Sequence, residues 1–158
     1  MEKTIKVGVL IVNKDKILLI KEWSEDKKNY YWNIVKGTYD DKEDKQITDC
    51  AVREAQEEAG VTILVNGFVN IVIKHGFSKR IYINLIASIV DGKPHTASKD
   101  EQSSRKEDIN ETKWITKTEL KNMKENDFIN DVAFEALNNW INNKIYPLNL
   151  LTEKIISS

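Results

Sequence analysis

The chain has 158 residues, 41% of them hydrophobic and 31% charged, which predicts one domain, spanning 1–158, with a sizeable buried core. Its net charge of −1 excludes a broad basic field for polymeric nucleic acid, so an anionic ligand must be held locally, by a metal or a few Lys and Arg. A single cysteine, Cys50, excludes an intramolecular disulfide and fits a reducing cytoplasm, and no apolar run is long enough for a signal peptide or a membrane span.

In chain order, residues 4–12 (TIKVGVLIV) predict a buried strand, 13–15 a tight turn and 16–23 its hairpin partner. Residues 23–31 read as a polar loop running into Tyr30, Tyr31 and Trp32, aromatics that suit the edge of a core better than a base-binding cleft. A short strand over 32–36 leads to Gly37. Residues 38–45 carry Asp40, Asp41, Glu43 and Asp44 and predict a loop, and 46–59 a helix, with Cys50 as a small buried residue on it. Two long strands follow, 61–74 and 79–90, joined around His75, which suits an exposed or hydrogen-bonded turn residue better than a catalyst. Residues 91–110 predict a long polar loop, of a length that is usually functional or mobile. A closing strand over 111–116, a short helix over 117–123 with Thr116 or Thr118 as cap, and an amphipathic helix over 128–142 complete the body. The tail after Pro147 is amphipathic and suits docking on the body or on a second subunit, so a homodimer is compatible with it.

The chemistry concentrates between residues 37 and 61. Glu54, Glu57 and Glu58 stand at i, i+3 and i+4 of the predicted helix, on one face and one turn apart. Beside them Ala51, Ala55 and Ala59 form a stripe of small side chains that lets the helix lie close to a sheet, and Gly60 follows as a C-cap. Three carboxylates so placed repel one another by roughly 0.2–0.5 kcal/mol per pair. A hard divalent cation turns that cost into a site, since Mg²⁺ takes carboxylate oxygens and shares its shell with water and substrate phosphates.

The pattern resembles the Nudix box: Gly, five residues, Glu, seven residues, then Arg-Glu-U-x-Glu-Glu-x-Gly-U with U aliphatic. Arg53 to Val61 matches, with Ala55 and Val61 at the U positions, and Gly37 with Glu43 matches the start. Nine residues rather than seven separate Glu43 from Arg53, which places a two-residue insertion before the helix. Trp32 and the pair Lys36-Gly37 stand as in many members of the family, whereas Val35 replaces a frequent Pro and Lys42 a frequent Gly.

The resemblance implies an α/β fold, an α/β/α sandwich with a mixed sheet between helices. It implies a pyrophosphohydrolase that uses Mg²⁺ or Mn²⁺ to hydrolyse a nucleoside diphosphate linked to a group X, a small-molecule substrate. Carried onto this chain, Glu54, Glu57 and Glu58 would be metal ligands, with the backbone carbonyl of Gly37. Arg53 would hold a carboxylate, Glu43 being the usual type of partner. The general base would be one of the box glutamates or an acid of 91–110, where Glu101, Glu107 and Asp108 are candidates; Arg53, Glu54, Glu57 and Glu107 form the expected catalytic set. Trp114, Phe128 and Asn130 stand where some nucleoside triphosphate hydrolases of the family contact the base. Two other readings stay open. One is a nucleotide-binding domain without turnover, its first-half residues displaced by the insertion. The other is an interaction domain that uses the C-terminal helix and tail.

Overall fold

A computed structural model describes residues 3–154 and 156. Seven strands form one mixed sheet: β1 (Lys3–Asn13), β2 (Lys16–Ser24), β3 (Asn29–Asn33), β4 (Val35–Thr38), β5 (Thr62–Lys74), β6 (Lys79–Asp91) and β7 (Ile109–Thr116). Four helices join them: α1 (Ile47–Ala59), α2 (Lys99–Arg105), α3 (Lys117–Asn122) and α4 (Asp131–Ile141). The continuous strand order is β3-β2-β1-β6-β5, with β4 paired to β1 and β7 to β2. β1 runs parallel to β6 along 3–11, and its other side is shared between β4 and β2, both antiparallel. Among the described residues β4 pairs with no strand but β1, so its second edge is open. That open edge becomes the floor of the site.

Alternation along the strands divides the core between the two faces of the sheet. Val7, Val9, Leu18, Ile20, Val35 and Leu85 point to the face covered by α1, where they meet Cys50, Ala51, Ala55 and Ala59. Leu10, Ile17, Leu19 and Ile86 point the other way, under Phe128 and the Ala133, Ala136, Leu137 and Trp140 face of α4. The small residues of α1 are fully buried, as the Ala stripe predicts, so its backbone lies close to the sheet. α1 ends at Gly60, whose left-handed backbone (φ 66°) turns the chain so that its own N–H donates to Gln56 C=O and the Val61 N–H donates to Ala55 C=O.

Four sequence expectations shift, the first being the strand over 32–36, which is instead the end of β3 (Asn29–Asn33) and the start of a separate β4 (Val35–Thr38) that contains Gly37. The loop 23–31 ends early, because β3 starts at Asn29 and pairs with β2 through Trp23–Tyr30 and Lys21–Trp32. Residues 91–110 are not all loop: α2 forms there, and β7 starts at Ile109 rather than 111. Polar residues build α2 without an apolar stripe to announce it. Ser98 and Glu101 cap its start reciprocally, and the buried Gln102 side chain donates to Ala97 O and accepts from Ile109 N–H. α4 starts at Asp131 rather than 128; Phe128 precedes it as a fully buried core residue, and Asn130 caps it by accepting from Ala133 N–H. The described part of the tail lies on the chain's own body. Tyr146 exchanges backbone hydrogen bonds with Phe68, Leu148 and Leu151 pack on the α1-side core, and Glu153 accepts from Ile47 N–H at the start of α1. Ile155, Ser157 and Ser158 lie outside the described residues. No helix of the described residues is long and apolar enough to cross a membrane.

Candidate active site

β4 brings the first half of the motif to α1. Lys36 N–H donates to Glu58 Oε2 (2.9 Å), and Thr38 C=O accepts from Arg53 Nη2 (3.1 Å). Both backbone groups therefore face the open edge, where side chains of α1 replace the missing strand. In an antiparallel strand the next residue turns the opposite way, so the N–H and C=O of Gly37 point toward β1. The Gly37 carbonyl expected at the metal is thus directed into the sheet, and the Lys36 carbonyl is the one on the open edge. Gly37 has a different role: a Cβ there would fall inside the Glu54 carboxyl group, so only glycine lets that carboxylate lie against β4.

Arg53 organises the acids. Its Nε and Nη2 donate to Asp44 Oδ1 and Oδ2 (3.0 and 2.8 Å), a bidentate pair. Its Nη1 donates to Glu54 Oε1 (2.7 Å) and reaches Glu57 Oε2 at 3.4 Å. Glu43, the partner expected from the motif, stands 3.5 Å from Nε with its side chain 61% exposed, whereas that of Asp44 is 1% exposed. Asp44 is therefore the principal partner. The loop absorbs its extra residues through a turn in which Asp44 accepts from Asp40 N–H, and that turn delivers the next acid instead. The Arg53 guanidinium holds the Asp44 carboxyl below the usual range. Asp44 escaped the sequence reading because only its place beside Glu43 marked it.

Glu54, Glu57 and Glu107 each offer an oxygen within 4.8 Å of the others. Glu107 arrives from the turn after α2, where Lys106 takes a left-handed backbone (φ 57°). Arg105 fixes it: Nε donates to Glu107 Oε2 (3.0 Å), while Nη2 donates to Glu57 C=O near the end of α1 (2.9 Å). Glu58 stands behind this trio, buried, facing Glu22 from β2. Burial first, then repulsion from Glu22 and Glu54, pushes the Glu58 carboxyl well above its ordinary value. Burial, opposed by Arg53 and reinforced by Glu57, pushes Glu54 up to about 7. Glu107 is raised in the same way, against the pull of Arg105. Acids held this close while desolvated are costly unless a cation joins them. Three hard oxygen donors at this spacing, opening on a cleft of about 820 Å³, fit a divalent cation that keeps water or phosphate in its shell.

The other sequence candidates are engaged elsewhere. Glu101 accepts from Ser98 N–H and Oγ–H in the α2 cap, and Asp108 accepts from the Tyr30 hydroxyl (2.8 Å). Cys50 is buried, and burial pushes its thiol up, as befits an inert core residue. His75 is exposed in its turn. Trp114 packs at the margin of the α1-side core, and Phe128 and Asn130 serve the core and the α4 cap. Trp32 packs on the α4-side core, the core-edge role expected of these aromatics, whereas Tyr30 stacks edge-on against Trp23 with ring centres 5.3 Å apart and Tyr31 lies against the Lys27 ammonium, both outside the two core clusters.

Comparison with known proteins agrees with the fold. The NUDIX domain family model matches residues 2–136. A NUDIX hydrolase from Nitrosomonas europaea superposes with a TM-score of 0.78 at 18% identity, over 97% of this chain and 98% of its own. A MutT NUDIX hydrolase from Burkholderia pseudomallei superposes at 0.69 with 17% identity, over 88% and 98% of the two chains. An ADP compounds hydrolase superposes at 0.68 with 20% identity, over 89% and 74%. No curated protein matches by sequence. With the mixed sheet between helices, the motif helix and the family model all in agreement, the chain belongs to the Nudix hydrolase family.

Proposed function

We propose that the protein hydrolyses a nucleoside diphosphate linked to a second group X, with a divalent cation, Mg²⁺ or Mn²⁺, held by its clustered glutamates. The observation that carries this reading is the convergence of Glu54, Glu57 and Glu107 at the mouth of the cleft. Glu54 and Glu57 would hold the cation, with Glu58 and the Lys36 carbonyl beside them on the open edge. When bound, the cation neutralises phosphate oxygens and lowers the pKa of a coordinated water. Glu107 is suited to take the proton: Arg105 fixes one of its oxygens, and burial raises its affinity for a proton. The oxygen of water then bonds to phosphorus, the bridging P–O bond breaks, and the bridging oxygen leaves on the second product. Arg53 orients Glu54 and Glu57 and compensates their charge.

The insertion before the helix does not argue against turnover, because Arg53 still has a buried bidentate carboxylate and Gly37 still clears Glu54. The test is a panel of nucleoside triphosphates, ADP-ribose, sugar nucleotides and dinucleoside polyphosphates, scored for phosphate or pyrophosphate release with Mg²⁺ or Mn²⁺ and again in excess EDTA. Metal-dependent release from at least one compound is expected. Turnover that persists in EDTA would rule out the mechanism.

A further inference from the structure

The cleft has a second wall of opposite charge. On β4, Val35 and Gly37 point toward α1, so Lys36 and Thr38 point to the other face of the sheet. Lys6 of β1 lies opposite Thr38 in the register and on that same face, with its ammonium donating to the Thr38 hydroxyl. Lys36 is its diagonal neighbour, opposite Gly8, over which the Asn84 carboxamide from β6 occupies the space of a side chain. The two lysines line the same cleft as the glutamates, which wraps around the open edge of β4. Among the described residues neither ammonium has a carboxylate within ion-pairing distance. Partial burial, then the repulsion of Lys36, hold the Lys6 ammonium below its ordinary pKa, against the more distant pull of Glu54 and Glu22. Two half-buried cations side by side on one cleft wall, without a carboxylate in direct contact, leave their charge for an anionic ligand to answer.

Resting on the hydrolase reading above, we propose that Lys6 and Lys36 form a phosphate-holding pair that selects substrates whose X group is itself a phosphate or carries one. The cation held by the glutamates and Arg53 answers the charge of the diphosphate being cut. A further terminal phosphate adds about −1.5 to −2 at neutral pH, and the lysine wall is a cationic surface of the same cleft, apart from the cation and Arg53, that can receive it. A neutral sugar as X brings hydroxyl acceptors but no charge for these ammoniums to pair with. The class selected is therefore nucleoside triphosphates and nucleoside diphosphates bearing a phosphorylated group, over nucleoside diphosphate sugars.

The experiment compares, for each of the four ribonucleosides, kcat/KM for the triphosphate and for the diphosphate-glucose with Mg²⁺, in the parent and in Lys6→Gln, Lys36→Gln and Lys6→Arg. A charge-assisted hydrogen bond corresponds to roughly tenfold in binding. The parent should favour the triphosphate by at least about tenfold. Each Gln variant should lower the triphosphate-to-glucose ratio by about tenfold, mainly through KM, and Lys6→Arg should restore it. Melting curves on each variant verify folding, and the two Gln variants at independent positions guard against one that misfolds. Activity on diphosphate-glucose equal to that on triphosphate, or a ratio unmoved by both Gln variants, would overturn the pair while leaving the hydrolase reading intact. Absence of metal-dependent turnover on every compound would overturn both.

Discussion

Replacing Glu54 by Gln should stabilise the metal-free protein at high pH and not at low pH. The side chain is 8% exposed and lies against Gly37, with Arg53 on one side and Glu57 on the other. Its carboxyl stands at about 7, against 4.5 for a free glutamate. A carboxylate raised by folding contributes stability that is complete below the unfolded value and is lost as pH rises through the folded one. Between pH 4.5 and about 8 the parent should therefore lose on the order of 3 kcal/mol that the Gln variant keeps. This far exceeds the few tenths expected of exposed like charges on a helix, because desolvation, not mutual repulsion, is the largest cause. For a chain of this length, roughly 2–4 °C per kcal/mol translates that into a melting difference of about 6–12 °C. Arg53 keeps its bidentate Asp44 partner in the variant, and the amide oxygen of Gln can still accept from Nη1, so no new orphan is created. The assay is a series of thermal melts of parent and E54Q in chelated buffer from pH 5 to 8.5, repeated with Mg²⁺. Curves that coincide at pH 5 and separate toward pH 8.5, with Mg²⁺ raising the parent and closing the gap, are the expected result. A difference independent of pH, or a variant less stable than the parent at pH 8.5, would refute the assignment of Glu54 as a strained, cation-awaiting carboxylate.

Asp44→Ala should destabilise by about 1.5–3 kcal/mol, because it removes the bidentate charge-assisted pair while Glu54 and Glu57 still answer part of the Arg53 charge, whereas Glu43→Ala should cost less than about 1 kcal/mol; denaturant melts of both distinguish the two acids. Gly37→Ala should lower kcat by orders of magnitude while the fold persists, since the added methyl displaces the Glu54 carboxyl; kinetics beside circular dichroism measure this. Glu107→Gln should cost about 10²–10⁴ in kcat, whereas Asp108→Asn and Glu101→Gln should stay near the parent, the latter losing up to about 1 kcal/mol of stability with its cap. Equal losses in all three would contradict the assignment of Glu107.

The local parts of this protein were legible in the linear chain, and the non-local parts were not. A 3.6-residue period places Glu54, Glu57 and Glu58 on one face and Ala51, Ala55 and Ala59 on the next whatever surrounds them, and Gly60 ends the helix for a reason contained in its own backbone. Strand alternation and turn residues likewise marked β1, β2, β5 and β6 to within a few residues. Which acid meets Arg53 depended on the path of a loop two residues longer than the motif, and that path delivers Asp44 rather than Glu43. Glu101, Glu107 and Asp108 are chemically alike in sequence. They were separated by the formation of α2, whose cap takes Glu101, whose last residue Arg105 grips Glu107, and whose following turn sends Asp108 to Tyr30. The carbonyl on the open edge, Lys36 rather than Gly37, follows from the register of β4 on β1, which no single stretch of sequence specifies. Helical spacing is a property of one segment; convergence of Glu107 and the lysine wall on that helix requires strands distant in sequence to pair, and only the folded sheet decides how.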